Sequence, residues 1–306
     1  MSTAVASVPA TMQVRLALLA MVTFFGGSMP AYKIAGRSFG PATANLARFV
    51  IASAFLAFIA RKRFGSARGH AKKLVLIGMF GIGLMAVCLG VGVDRGSATI
   101  GSVVIALEPI GVALAGAAIV GDRPSRRSVV ALVIGVVGAF IASGVFTERS
   151  VDTPYLAIVL LLGTVVTFSV YTALVRREAK GIDPLAVASL TQLGALAFVI
   201  PACLFDLLGD GMIRANGIRA DAVWSVVFLG VGSALGYLLL IAVLANQPSS
   251  RVAVSMFLTP IIGVVLSWLV VGEHLNVRVG VGAALVLVAV WISEGSNVRR
   301  KRALSE

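Results

Sequence analysis

The sequence contains few charged residues, and acidic residues are the scarcest of them. Only 13% of the 306 residues are charged, with 26 Lys and Arg against 13 Asp and Glu, while 58% are apolar and the mean hydropathy is +1.00. A soluble domain carries about 25% charged residues. The shortage of charge argues against a cytosolic enzyme, and the apolar excess argues against a disordered chain. We therefore predict an integral membrane protein, in which the net charge of +13 reflects either topology or an anionic partner.

Histidine and cysteine are also scarce. The two histidines, His70 and His274, lie in predicted loops, so the sequence has no HExxH zinc motif and favours no Ser-His catalytic pair. The two cysteines, Cys88 and Cys203, lie in apolar runs, where a thiol behaves as a small hydrophobic group. They form neither a disulfide framework nor a metal-ligand set. We expect no cofactor, no metal and no enzymatic activity.

Long apolar runs, in contrast, fill most of the chain. A hydrocarbon core about 30 Å thick requires about 20 consecutive apolar residues in a helix. We therefore predict an all-α integral membrane protein with ten transmembrane helices and no extramembrane domain. The ten runs are 14–34, 41–60, 74–93, 98–120, 128–145, 155–175, 184–205, 222–244, 249–271 and 277–294.

The distribution of Lys and Arg predicts the orientation. With the N-terminus inside, the inner segments hold 18 of the 26 basic residues and the outer segments hold 7, while Arg48 lies within the second run. Cytoplasmic loops retain the positive charge, so we predict cytoplasmic N- and C-termini, a basic cytoplasmic tail at 296–306, and a location in the inner or plasma membrane. The positive charge is then an orientation signal. We expect the lipid bilayer as a partner and no nucleic acid.

Two segments of the chain are similar to each other at an offset of 151 residues. VIALEPIGVALAGAAIVGDRPSRRS at 104–128 aligns without gaps on SMFLTPIIGVVLSWLVVGEHLNVRV at 255–279, pairing Pro109 with Pro260. We predict two five-helix repeats, 13–145 and 152–295. Because five is odd, the second repeat crosses the membrane in the opposite sense. Such inverted repeats are typical of secondary transporters, whose substrate binds near the membrane midplane.

The same segments resemble a known family. The stretch FLGVGSALGYLLLIAVLANQPSSRVAVSMFLTPIIGVVLSWLVVGEHL, together with VIALEPIGVALAGAAIVGDRP, resembles the EamA-type domains of the drug/metabolite transporter superfamily. The resemblance covers nearly the whole chain, and its best marker is the acid that follows a glycine, Asp122 and Glu273. It implies a ten-helix exporter of amino acids or other small metabolites that works by alternating access. Asp122 in place of the more usual glutamate, and Arg95-Gly96-Ser97 after the third run, depart from the family pattern and weaken inference of the substrate.

Arg48 and Glu108 are the only charged residues well inside a predicted span. A charge there costs at least about 2.5–3.5 kcal/mol unless it is paired or hydrated. Their predicted depths differ by about 5 Å, so the two side chains could meet or could face one polar cavity. In the functional interpretation Glu108 binds a proton or a substrate amine, and Arg48 regulates it or binds a substrate carboxylate. In the alternative, the two form a structural ion pair.

Further cavity candidates are aromatic and polar residues at comparable places in the two repeats. Tyr32 and Tyr171 form one such pair, although tyrosines also act as anchors at membrane interfaces. Gln192 lies eight residues after Pro184, close to the place of Arg48, which lies seven residues after Pro41. The remaining candidates for the cavity are Phe24, Lys33, Ser233 and Tyr237.

Glycine and proline predict hinges. Gly26, Gly27 and Pro30 predict a kink in the first helix, because proline lacks an amide donor and clashes with the preceding turn. Pro109 and Pro260 predict paired bends near the membrane centre, which either serve gating or are kinks without such a role.

The sequence thus predicts a secondary transporter that exports amino acids or related amphipathic compounds, with proton coupling through Glu108 as a further hypothesis. Its expected partners are a small-molecule substrate, protons and the bilayer, and we expect a monomer or a weak dimer. An uptake permease or a multidrug exporter of the same fold is the nearer alternative. An intramembrane enzyme, a channel or a non-transporting receptor is the alternative from a different class.

Overall fold

The computed structural model describes residues 10–61, 63–95, 104, 106–122, 124–143, 155–208, 211–215, 217–271 and 277–302. Within these ranges the chain is helical except for turns and one isolated β-bridge between Phe39 and Ile213. The described residues therefore have the predicted all-helical architecture.

The helices are α1 (Ala10–Ala35), α2 (Pro41–Ala60), a 3₁₀ segment (Phe64–His70), α3 (Ala71–Gly78), a π segment (Met79–Gly83), α4 (Leu84–Arg95), α5 (Glu108–Ala115), a second π segment (Gly116–Val120), α6 (Arg126–Ser143), α7 (Tyr155–Glu178), α8 (Pro184–Leu208), α9 (Ala220–Asn246), α10 (Ser249–Met256), α11 (Leu258–Val271) and α12 (Val277–Arg302).

Six of the described helices are long and apolar enough to cross a membrane. These are Met12–Ala35, Pro41–Ala60, Phe64–Leu89, Tyr155–Glu178, Pro184–Leu208 and Ala220–Ala245. Three shorter apolar helices accompany them, at Glu108–Val120, Ser249–Gly263 and Gly280–Ile292. The complete set of ten crossings stays a prediction, because parts of the predicted fourth and fifth runs and several loops lie outside the described residues.

Two predicted runs, 98–120 and 249–271, are interrupted rather than continuous. A turn at Ala106 and Leu107 precedes α5, and Phe257 separates α10 from α11. Positions 106 and 257 differ by the same 151 residues that relate the two sequence segments. A proline follows three residues after each, at Pro109 and Pro260, where its missing amide and its ring oppose a continuous helix. Both interruptions therefore have the same local cause.

Helices of each half pack on helices of the other half, and the two sets of contacts correspond. The first helix of the first half, α1, packs on α9 and α11, and the first helix of the second half, α7, packs on α4 and α5. In the same way α2 packs on α9 while α3 packs on α8. The pairs α2 with α8 and α6 with α12 each join equivalent helices of the two halves. This is the pattern of packing that two repeats related by a two-fold axis would have.

Ion pairs show which loops lie together at each end of the helix bundle. At one end, Arg63 contacts Asp183 at 2.9 Å and Lys73 contacts Glu178 at 3.2 Å. We call this end, which includes the described residues of 61–73, 121–127, 176–183 and 247–251, the basic end. The opposite end includes the described residues of 36–43 and 206–221, where Arg37 contacts Asp221 at 3.2 Å. Helix α2, with 20 residues, connects the two ends over about 30 Å.

Small residues allow close helix crossings inside the bundle. A Cβ atom on Gly83 would lie 2.6 Å from the carbonyl oxygen of Ala195, and one on Gly26 would lie 2.7 Å from that of Thr259. Membrane helices associate through such close backbone approaches because lipid provides little hydrophobic drive for association. The crossing at Gly26 holds α1 against α11, next to the interruption at Phe257.

Candidate functional site

Arg48 is a buried cation on α2 with hydrogen bonds to neutral groups. Its side chain is 6% exposed, and it donates from Nε to the Ser233 hydroxyl on α9 and from Nη1 to the Tyr32 hydroxyl on α1. The Tyr32 hydroxyl in turn donates to Asn45 Oδ1 at 2.6 Å. Among the described residues Arg48 forms no ion pair. The site therefore joins three helices around an uncompensated positive charge.

Local helix geometry places these groups. Asn45 and Arg48 are three residues apart on α2 and therefore share one face. Ser233 donates its own proton to the Leu229 carbonyl at 2.6 Å, so its oxygen is left to accept from Arg48. Gly230 allows the two helices to approach, since a Cβ there would lie 3.2 Å from the Arg48 carbonyl oxygen.

Aromatic rings flank the guanidinium of Arg48. Its Cζ atom lies 5.5 Å from the centroid of the Tyr32 ring and 5.1 Å from that of Phe49. A desolvated cation over a ring gains about 2 kcal/mol. That gain is smaller than the cost of several kcal/mol for an ion removed from water. The rings thus offset part of the free-energy cost of burying the charge, and the rest of that cost still favours an anionic partner.

Three aromatic residues form a column beside this site. Tyr237 on α9 is 2% exposed and packs edge-on against Phe25 at 5.3 Å and against Tyr171 at 5.9 Å between ring centroids. The Tyr171 hydroxyl lies 3.4 Å from Thr191 Oγ1. The column therefore joins α1, α7 and α9, which are helices of both halves.

Glu108 lies in the first turn of α5, immediately after the helix interruption. Its side chain is partly exposed, and it has no hydrogen bond or ion pair with any residue in the described ranges. Arg48 and Glu108 are both described, and they form no ion pair with each other. The structural ion pair that the sequence allowed is thus not made in this conformation.

The other candidates occupy different environments. Gln192 is completely buried, and neither its amide oxygen nor its amide nitrogen has a hydrogen-bond partner within the described part of the chain. Lys33 is exposed in the last turn of α1. Phe24 is half-buried beside Gly232, where an added Cβ would lie 3.6 Å from the Phe24 ring. The prediction for Gln192 and Phe24 stays open.

The predicted hinge residues pack closely in this conformation. Helix α1 runs without interruption through Gly26, Gly27 and Pro30. A Cβ on Gly27 would lie 2.9 Å from the ring of Phe228, so this glycine serves helix contact. Pro109 is buried in the first turn of α5. A gating role for these residues and for Pro260 stays a prediction.

Sequence reasoning missed several residues that the structure brings to polar clusters. Asn45 carries no charge, but its position three residues before Arg48 is a signal that helix periodicity could have supplied. Phe25 gives no signal, because phenylalanine is common in membrane helices. In the sequence Asp122 is only a family marker and Arg176 only a loop charge, although the two side chains pair directly.

The fold and the buried polar site together define a helical membrane protein that carries a buried cation and its polar partners in its interior. The EamA-like transporter family matches this chain twice, at residues 13–144 and 155–294, and the chain belongs to that family. It is therefore an integral membrane transporter of a small-molecule substrate.

Several relatives resemble the chain over most of its length. An uncharacterized transporter of Archaeoglobus fulgidus is 29% identical over 278 residues, covering 90% of this chain and 97% of the relative. A probable terminal-alkyne amino-acid exporter of Streptantibioticus cattleyicolor is 26% identical over 293 residues, covering 94% and 96%. A probable amino-acid metabolite efflux pump of Salmonella typhimurium is 26% identical over 199 residues, covering 62% and 65%.

A solved crystal structure shares the fold. It superposes with a TM-score of 0.77 at 16% sequence identity and covers 92% of this chain and 96% of the other. At this identity the likeness concerns the fold alone.

Proposed function

We propose that this transporter exports amino acids or related amphipathic metabolites across the cell membrane by alternating access, with a substrate carboxylate bound to Arg48. The observation that carries the proposal is the burial of Arg48 among neutral partners. A buried cation without an anion is costly, and a ligand that supplies the anion recovers that cost. A substrate carboxylate is such a ligand.

Arginine geometry suits a carboxylate. The guanidinium is planar and presents its N–H groups as a fork that matches two carboxylate oxygens. In Arg48 the Nε and Nη1 groups donate to the neutral hydroxyls of Ser233 and Tyr32. A carboxylate accepts more strongly than a hydroxyl because it is charged. It can therefore bind the remaining N–H groups or displace one hydroxyl.

Glu108 supplies a second pole to the proposed site. Its carboxylate has no partner among the described residues, and an unpaired charge in the membrane is costly. Either a substrate amine or a proton removes that cost. A zwitterionic substrate would bind with its carboxylate at Arg48 and its amine at Glu108. Protonation of Glu108 in the empty transporter would couple export to protons.

The proposed architecture is ten transmembrane helices in two inverted repeats, 13–145 and 152–295. Three observations support it: the double family match, the exchange of packing partners and the matched interruptions at Ala106 and Phe257. We further propose that the basic end and the tail at 296–306 face the cytoplasm. The concentration of Lys and Arg at that end supports this orientation.

The relatives favour export over uptake. Two of them are named as an amino-acid exporter and an amino-acid metabolite efflux pump. A multidrug exporter would need a cavity that accepts more varied compounds than a cavity with fixed charges at Arg48 and Glu108. No specific observation favours an enzyme, a channel or a receptor.

The test is efflux from proteoliposomes loaded with a panel of radiolabelled amino acids and their decarboxylated amines. We expect Arg48→Gln to reduce efflux of the transported amino acid about tenfold or more, since a hydrogen bond to a charged group contributes about 1.5–3 kcal/mol. Arg48→Lys keeps the charge and should retain part of the flux. Arg63→Gln, at an exposed arginine of the basic end, is the matched control. Equal losses for amino acids and for amines would contradict carboxylate binding.

A further inference from the structure

A second polar cluster lies at the basic end, and we call it the Asp122 latch. Arg176, near the end of α7, donates from Nε to Asp122 Oδ2 and from Nη2 to Asp122 Oδ1, the latter at 3.1 Å. This is the two-pronged geometry of a strong arginine–carboxylate pair. Asp122 follows Gly121, whose φ of 82° is the left-handed conformation that favours glycine. The turn thus directs the carboxylate back toward α7.

The same two residues also bind the ends of two other helices. Arg176 Nη1 donates to the carbonyl oxygens of Leu244 and Gln247, at the end of α9. Asp122 Oδ2 accepts from the backbone amide and the hydroxyl of Ser249, both at 3.2 Å, at the start of α10. A cation at a helix C-terminus and an anion at a helix N-terminus are each stabilised by the helix dipole. The contacts therefore reinforce one another.

The latch is largely shielded from water. The side chains of Arg176 and Asp122 are 14% and 18% exposed. Burial disfavours the charged carboxylate, but the hydrogen bonds from Arg176 and Ser249 outweigh it and hold the pKa of Asp122 below its ordinary value. The ion pair therefore persists at neutral pH. It joins one segment of the first half, the end of the α5 region, to three segments of the second half.

We propose that the Asp122 latch is a gate that closes the basic end of the transport pathway and opens once in each cycle. The proposal rests on the alternating access of the proposed function, in which contacts between the halves at one end are made in one state and broken in the other. In the latch, two side chains hold four helix ends. Such a cluster is either formed or broken, and two discrete states of this kind are what a conformational switch requires. Loss of any one bond also weakens the others, because the same two side chains make them all.

The opposite end offers a matched comparison. Arg37 lies five residues after Tyr32, as Arg176 lies five residues after Tyr171. Arg37 pairs with Asp221, but those side chains are 48% and 36% exposed. Exposed pairs contribute little because water screens them. A substitution at Arg37 removes an arginine–aspartate pair but no shielded cluster. It is therefore the control for the substitutions in the latch.

The experiment measures opening of the basic end without a substrate. Spin labels are placed at Arg127→Cys and Lys180→Cys, two exposed positions of that end, in a background with Cys88→Ala and Cys203→Ala. Pulsed electron spin resonance in nanodiscs gives the distance distribution. We expect Asp122→Asn to increase the long-distance population about tenfold or more relative to the parent, and Arg37→Gln to leave it unchanged. An unchanged distribution in Asp122→Asn would overturn the proposal.

A second variant guards against misfolding. Arg176→Lys keeps the positive charge, but its three N–H donors cannot replace all four contacts that Arg176 makes to Asp122, Leu244 and Gln247, and we expect an intermediate increase of the long-distance population. Thermal unfolding is measured in parallel. If either variant lowers the melting temperature but leaves the distance distribution unchanged, the latch is a structural lock and the proposal is wrong. No substrate enters this distance measurement. Its result can therefore be interpreted even if the amino-acid efflux assay fails.

Discussion

Arg48 on α2 donates a hydrogen bond to Ser233 on α9, a residue 185 positions later in the chain. The bond joins the two halves of the protein at the centre of the candidate site. Because the donor is charged and buried, loss of the acceptor has a larger effect than loss of an ordinary hydroxyl.

We expect Ser233→Ala to lower the free energy of unfolding by about 1–3 kcal/mol, because the buried Nε–H of Arg48 loses its acceptor. Thermal unfolding in detergent measures the change. Ser28→Ala is the control: the Ser28 hydroxyl donates to the Phe24 carbonyl of its own helix, and its removal should have little effect. Equal effects of the two substitutions would contradict the importance of the bond between the halves.

Glu108→Gln tests proton coupling. The amide keeps the size of the side chain but cannot exchange a proton, so we expect the pH dependence of efflux to disappear while the protein remains folded. Efflux from proteoliposomes at several pH values measures this. Glu178→Gln is the matched carboxylate substitution, at a residue paired with Lys73 at the basic end, and should leave the pH profile intact. A pH profile that persists in Glu108→Gln would exclude this residue as the proton carrier.

Asp206 caps α2 from another helix. The N-cap residue of α2 is Gly40, which has no side chain to accept a hydrogen bond. Asp206 Oδ2 instead accepts from the amide and the hydroxyl of Thr43, at 2.7 and 2.8 Å. We expect Asp206→Ala to destabilise the protein by about 0.5–2 kcal/mol, the typical effect of losing a helix cap.

Thermal unfolding compares Asp206→Ala with Asp221→Ala, an exposed aspartate of the same end. The control should change stability by less. Gly40→Ala should also destabilise the protein, since a Cβ there would overlap the Asp206 carboxylate. If Asp206→Ala left stability unchanged, water would satisfy the amide groups at the start of α2 as well as the carboxylate does.

The orientation is tested by labelling single cysteines. Lys180→Cys lies at the basic end and Arg219→Cys at the opposite end, and both positions are exposed. In intact cells we expect a membrane-impermeant maleimide to label Arg219→Cys and to reach Lys180→Cys only after permeabilisation. Labelling of both from outside would contradict the proposed topology, and the reverse pattern would invert it.

Much of the fold could be predicted because the bilayer imposes simple rules on a sequence. Apolar length predicted most of the described helices, and the offset of 151 residues paired Pro109 with Pro260, each three residues after an interruption, although the sequence predicted only bends in continuous helices there. The break itself could not be predicted at a defined residue, because a proline can kink a helix without ending it. Arg48 could be found because a charge in an apolar run is conspicuous.

The connections of the site could not be predicted in the same way. The pairing of Arg48 with Ser233 depends on the crossing of α2 and α9 at Gly230, which no pattern in either helix reveals. Likewise, Asp122 and Arg176 are 54 residues apart, and each resembles an ordinary loop charge. Contacts between distant segments depend on packing, so they appear only in the folded structure.

The matched interruptions before Pro109 and Pro260 have a consequence for hydration. A helix that ends within the hydrocarbon leaves amide and carbonyl groups without partners, and lipid cannot satisfy them. At the two interruptions backbone bonds of the 3₁₀ type meet part of this need, because the Leu107 amide donates to the Val104 carbonyl at 3.0 Å and the Phe257 amide to the Val254 carbonyl at 3.3 Å. The polar groups that these turns leave free require water or neighbouring side chains as partners, so each interruption is a point at which the apolar interior must admit polar contacts.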